Sequence, residues 1–187
     1  MKKVLTFVAI ALVFGACNSV AKFKPQIEEL AKTWDATTSQ VGEFATSVKT
    51  EQSNWANATT AMTVAPEAMA KWDAAGKAKY AEIQAAAQGS SAGISGIVTE
   101  LDGFVSSWTE KSASMKALTD GLAAGKIEGD VNAQLADLTA AATDATSKLG
   151  AWKTKFEEVK AGASKAQQMF ADFMAASSAA PATAGKK

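Results

Sequence analysis

Histidine and arginine are both missing from this chain, and cysteine occurs once, at position 17. Without histidine the chain lacks the commonest transition-metal ligand and the usual general base near neutral pH. With no spare thiol either, a zinc or copper site is not expected, and no disulfide can form within the chain. Only carboxylate sites for hard cations remain open. Arginine supplies the bidentate fork that reads phosphate and guanine, so its absence argues against a nucleic-acid partner. Serine and threonine are plentiful, yet a Ser-His-Asp arrangement cannot exist without histidine, and no flanking motif supports a Ser-Lys variant. No catalytic residue, cofactor or metal is expected. The one strongly apolar run, Val4 to Phe14, is too short to span a membrane, which takes about 20 residues.

That run has the makings of an address. Met1-Lys2-Lys3 precedes it and Gly15-Ala16-Cys17-Asn18-Ser19 follows it, giving a charged start, an apolar centre and small residues before a cut, as in a secretory signal peptide. The Phe14-Gly15-Ala16-Cys17 stretch resembles the lipobox of bacterial lipoproteins, with Phe14 where Leu, Val or Ile is usual. The resemblance implies that Cys17 is diacylglycerol-modified, that signal peptidase II cuts before it, and that the new N-terminus is acylated. Residues 1–16 are then a signal peptide and 17–23 a lipidated N-terminus and tether. Asn18 is not the aspartate that favours inner-membrane retention, so an outer-membrane destination is favoured within the bacterial envelope. Two or three acyl chains hold a protein firmly where one is marginal. The alternative reading makes Cys17 a chance thiol in an ordinary exported precursor. The 19 lysines balance 19 acids, and a cut at Cys17 would remove Lys2 and Lys3, leaving a net charge of −2 before any modification.

Beyond the address, one pattern fills the chain: an apolar residue every three or four positions. The first segment runs Ile27, Trp34, Val41, Val48, Trp55, Met62, with Leu30, Thr37, Phe44, Glu51 and Ala58 on the second line. The second runs from Tyr80 and Ile83 through Ala87, Ser90, Ile94, Ile97, Leu101, Phe104, Trp108, Lys111, Met115 and Leu118 to Leu122. The third, from Val131 and Leu135 through Leu149, Trp152 and Phe156 to Phe173, carries Ala142, Ala145, Ala163 and Ala166 at small positions. Spacing that averages about 3.5 residues over more than four heptads predicts coiled-coil-like packing. The fold class is therefore all-α: an elongated antiparallel bundle of three long helices over 24–176.

Punctuation divides the segments. Pro25 and Pro66 suit the first turns of helices one and two. Gly125 suits a C-terminal stop and Asp130 the N-cap of helix three. The expected spans are 24–63, 67–124 and 130–176, a rod about 60–70 Å long whose lipidated and free ends lie apart. Short connections make the bundle antiparallel. Gly89, Gly93 and Gly96 interrupt helix two, each costing about 1 kcal/mol against alanine. An alternative is thus four helices with a break near 89–96, although the unbroken heptad phase favours continuity. Residues 177–187 read as a disordered tail.

Residues that invite a chemical reading have plainer ones. Trp34, Trp55, Trp108 and Trp152 fall on the seams, where indoles fill volume beside alanines; Trp72 lies off the seam and is the candidate for exposure. Adjacent acids such as Glu28/Glu29 and Glu157/Glu158 point about 100° apart on a helix and cannot work as a pair. Asp130 beside Glu128 lacks the alternating ligand run of a calcium loop. Glu28/Lys32, Glu67/Lys71, Asp73/Lys77 and Asp144/Lys148 are pairs for solvated helix faces. What remains is a membrane-anchored interaction or scaffold protein with a protein partner of unstated identity. The alternatives are a carrier holding an apolar ligand or lipid between its helices and a helix set that opens onto lipid surfaces. The sequence leaves the oligomeric state open. Replacing Cys17 with serine is expected to move the protein out of the detergent phase on phase separation, whereas the natural chain enters it.

Overall fold

The computed structural model describes residues 20–179. The expected signal peptide, the expected lipidation site Cys17 and the end of the expected tail lie outside those residues. Four helices are present among them: α1 (Lys24–Ala61), α2 (Pro66–Met69), α3 (Ala74–Ala123) and α4 (Val131–Ala179), with no strand. Three are long, at 38, 50 and 49 residues. The all-α bundle of three long helices is the fold found. Every seam position named above is buried or half-buried. Ile27, Ile83, Ile94, Ile97, Leu118 and Leu138 are all but inaccessible to solvent, and burial of one such side chain contributes about 1.5–3 kcal/mol.

The chain forms two compact units. Unit 1 takes the chain up to Glu43 together with Asp102–Gly150. Its core gathers Ile27, Leu30 and Trp34 of α1, Trp108, Met115 and Leu118 of α3, and Leu135, Leu138, Ala142 and Ala145 of α4. Pairing is antiparallel: Trp34 meets Ser112 and Thr38 meets Trp108 across α1 and α3. Lys111 meets Asp137 and Lys148 lies over Phe104 across α3 and α4.

The turn between α3 and α4 is set by Gly125. Its φ of 71° is a left-handed value that only glycine adopts without cost. The Gly125 N–H reaches the Leu122 carbonyl at 3.1 Å and the Lys126 N–H the Gly121 carbonyl at 2.9 Å, a Schellman closure of α3. Asp130 then caps α4, its Oδ1 accepting from the N–H groups of Asn132 and Ala133 at 2.9 and 3.2 Å.

Unit 2 takes Phe44–Leu101 and the chain from Ala151. Phe44 and Phe156 meet edge to face at 5.6 Å, joining α1 to α4. The turn after α1 is held from inside by Tyr80, whose hydroxyl donates to the Met62 carbonyl at 3.0 Å and accepts from the Val64 N–H at 3.1 Å. Both bonds are buried, so the phenol satisfies two backbone groups that the turn leaves without partners.

Four expectations need correcting. Helix two does not start at 67: Pro66 opens the four-residue α2, and α3 starts at Ala74. Asp73, expected to face Lys77, commits its carboxylate to the cap, accepting from the Gly76 N–H at 2.7 Å. The continuity favoured through 89–96 is found, since one helix, α3, runs through all three glycines, and the alternative of a break there is not. The shorter α3 removes the length mismatch that made a break attractive, at 50 residues against 49 for α4. Packing also reaches further than expected at both ends. Val20 is buried and Phe23 packs on the unit 1 core, so the tether does not extend to 23. α4 continues through Ser177 and Ser178, whose hydroxyls donate to the carbonyls four residues earlier, so the segment from 177 to 179 is helical.

One glycine of the three has a steric reason to be there. A Cβ on Gly93 would lie 2.6 Å from Val159 Cγ2, whereas Gly89 and Gly96 have nothing within 4 Å of that position. At Gly93, then, α3 and α4 approach closely in unit 2. Gly96→Ala is expected to raise the urea midpoint, gaining up to about 1 kcal/mol of helix propensity. Gly93→Ala is expected to lower it, because overpacking costs about 1–3 kcal/mol and exceeds the same propensity gain. Equilibrium urea unfolding of the two single variants beside the parent checks both signs.

Candidate functional site

The most chemically specific arrangement among the described residues surrounds the tryptophans. Trp34, Trp55, Trp108 and Trp152 are all buried, at 3–6% exposure. A buried indole carries one N–H that must find an acceptor, and each of the four finds it on a neighbouring helix. Trp34 donates to Ser112 Oγ at 3.0 Å, Trp108 to Thr38 Oγ1 at 2.9 Å, Trp55 to Ser91 Oγ at 2.9 Å and Trp152 to Glu100 Oε2 at 2.7 Å.

In unit 1 the arrangement is reciprocal. Trp34 and Trp108 stack with centroids 3.8 Å apart and planes 6° from parallel. Each donates to the hydroxyl four positions after the other tryptophan, Trp34 to Ser112 and Trp108 to Thr38. Thr38 serves twice, because its own proton goes to the Trp34 carbonyl at 2.8 Å while its oxygen accepts from Trp108. Ser91 does the same in unit 2, donating to the Ala87 carbonyl at 3.1 Å. Trp34 with Thr38 in α1 and Trp108 with Ser112 in α3, each a Trp followed by a hydroxyl four residues on, were the sequence signal for this pairing, although Trp55 and Thr59 share the spacing without it. It becomes legible only when the register between the two helices is known.

Among the described residues, Glu100 is the titratable group with a clear shift. Its carboxyl lies below the usual carboxylate value because Lys155 Nζ and the Trp152 indole N–H both donate to it, each at 2.7 Å, and partial burial opposes this only weakly. The pair is about half exposed, and both carboxylate oxygens are engaged with protein donors, which suits a clasp between α3 and α4 rather than a proton-transfer group. Lys111 and Asp137 make a similar link in unit 1 at 2.6 Å.

The residues singled out from sequence fall as follows. Trp72 is half-buried, set edge-on to Phe173 at 4.7 Å and Tyr80 at 5.3 Å. Glu28 pairs with Lys24 at 3.8 Å, and Asp144 with Lys148 at 2.8 Å, both exposed. Glu157 pairs with Lys160 on the turn that follows it. No three His, Cys, Asp or Glu side chains converge as a metal group among the described residues, and no buried side-chain polar atom there lacks a partner. No helix among them is long and apolar enough to cross a membrane.

Of the concave features among the described residues, two lie between α1 and a facing helix, while others of about 470 and 700 Å³ lie beside the α3–α4 turn and along α4. In unit 1 a groove of about 490 Å³ runs between α1 and α4, floored by Leu30 and Ala142 and edged by Thr33, Thr139, Thr143 and Thr146. In unit 2 a smaller one of about 190 Å³ lies between α1 and α3 beside Met62, Ile83 and Ala87. Both open to solvent, and neither brings together groups with a shared catalytic geometry. No family model, curated protein or solved structure matches the chain.

Two substitutions test this reading of the polar contacts. Ser112→Ala leaves the Trp34 N–H buried without its partner and is expected to cost about 1–3 kcal/mol on urea unfolding. Glu100→Gln is expected to act through pH. Because the folded carboxyl sits below the ordinary value of 4.5, its contribution is complete above that value and is lost as pH falls through the lower, folded one. The parent should therefore lose stability on acidification more steeply than Glu100→Gln, by a small margin given the exposure of the pair. Thermal unfolding from pH 7 down to pH 3 reads the difference.

Proposed function

We propose that this protein is an envelope lipoprotein, anchored through Cys17, whose helical bundle serves as a scaffold or docking body for another protein and performs no catalysis. The observation that carries this reading is the N-terminal sequence, with its charged start, short apolar run and Gly15-Ala16-Cys17 junction. The described residues support the second half of it. Three buried indoles donate to hydroxyls on facing helices and a fourth to Glu100, and Lys111–Asp137 and Lys155–Glu100 link helices, while other ion pairs lie on exposed helix faces and turns. In this reading the outer membrane is the favoured destination and the acylated Cys17 is what holds the chain to it.

A second reading has one feature in its favour. The threonine-edged groove of unit 1 has room for part of an apolar chain above Leu30 and Ala142. As a carrier the protein would purify with such a molecule, and native mass spectrometry would record the added mass; a bare chain mass counts against this reading.

The scaffold reading is tested in cells. Cross-linking in intact envelopes, followed by capture of the chain and mass spectrometry, is expected to return a specific protein partner that is lost or displaced with Cys17→Ser. Protease applied to intact and then ruptured cells gives the side. Cleavage before rupture places the partner outside the cell, and protection until rupture places it in the periplasm. Recovery of no partner under either condition overturns the scaffold role.

A further inference from the structure

Anchoring at Cys17, the reading proposed above, has a geometric consequence for unit 1. Val20 is buried at 8% exposure, Phe23 packs on the unit 1 core, and the Phe23 N–H bonds to the Val20 carbonyl at 3.0 Å. Folded structure is therefore present by the third residue after the acylated position. Three residues span at most about 11 Å even when fully extended, so the acyl chains cannot stand far from a residue that is part of the core. The usual picture of a lipoprotein domain swinging on a long linker does not fit such spacing.

The end of unit 1 that lies next to this short link is defined by its packing. Leu122 at the end of α3, Ile127 in the turn and Val131 at the start of α4 pack against the same core as Phe23. Antiparallel pairing of α1 with α3, from Thr38–Trp108 to Trp34–Ser112, carries the beginning of α1 towards the Gly125–Asp130 turn. We infer that, in the lipidated protein, this end of unit 1 rests against the lipid headgroups, with the α3–α4 turn and the first turn of α1 as the contact surface. The charges there are Lys22, Lys24 and Lys126 against Glu28, Glu29, Glu128 and Asp130, of which Lys24–Glu28 and Lys126–Glu128 are ion pairs. With Glu29 beside Glu28, three positive groups meet four negative ones, so the surface has no preference for anionic lipid. The covalent link and its length hold it there, not electrostatic attraction.

The consequence can be read with lysine acetylation, since lysine is the chain's only cationic side chain. In the structure Lys24 and Lys126 are 62% and 74% exposed, and Lys148, also in unit 1, is 50% exposed. Lys148 stands 17 residues along α4 from Val131, or about 26 Å at the helical rise. The full lipidated chain is placed in phosphatidylcholine vesicles and treated briefly with an amine-reactive acetylating reagent. Each site's rate is then divided by its rate in urea. Lys22, Lys24 and Lys126 are expected to react several-fold more slowly than Lys148, in reverse of their exposures. Adding anionic lipid should leave the ratio unchanged. Equal rates at all four sites, equal slowing that includes Lys148, or protection that appears only with anionic lipid overturns the inference. The mass of the Cys17 peptide from the same sample separates the two levels. With lipid on Cys17, such results remove the orientation and leave the anchor; a peptide without lipid removes the anchor and the inference with it.

Discussion

A buried indole brings a large apolar surface into a core and, with it, one donor that cannot be left dry. That constraint organises the contacts between helices in both units. The helices are rich in alanine and threonine, so large side chains are needed to fill the volume between them, and tryptophan supplies it at four seam positions. Each indole N–H then fixes an acceptor on the facing helix, and a helix can offer one only at the right register. Apolar packing alone tolerates sliding by a heptad. A directional bond at 2.7–3.0 Å does not.

Much of this was legible in sequence because the information is local and periodic. The seams follow from a 3.5-residue spacing, and Asp130 and Gly125 mark the turn through backbone preferences that need no knowledge of neighbours. What escaped depends on contacts across the fold. Asp73 can serve either as the partner of Lys77 or as a cap, and the choice rests on the packing of Trp72 against Tyr80 and Phe173 just before it. Gly93 looks like a weak point of a helix until Val159 is placed beside it. Val20 and Phe23 looked like linker because they precede the first proline, yet Phe23 has the unit 1 core within reach. The reciprocal tryptophan pairs are composed of spacings visible in each helix, but their meaning lies in the register between helices.

The same division applies to function. The proposed address and anchor rest on a short linear stretch, residues 1–19, through composition and order rather than contacts. A protein-binding surface is written in shape, and here the shape offers modest grooves edged by threonine, with Val105 the one large apolar side chain left exposed among the described residues. The polar groups with the most defined geometry, Glu100 with Lys155 and Trp152, join helix to helix.

The stacked pair Trp34 and Trp108 gives unit 1 an optical property of its own. Two indoles at 3.8 Å and nearly parallel exchange electronic excitation and perturb each other's emission, and they do so only while α1 and α3 are in contact. Trp55 and Trp152 lie in unit 2, each against a polar acceptor rather than a second indole. Trp72, also in unit 2, meets Tyr80 and Phe173, so the stacked indole pair belongs to unit 1 and its emission reports on the α1–α3 contact there in the unlabelled protein.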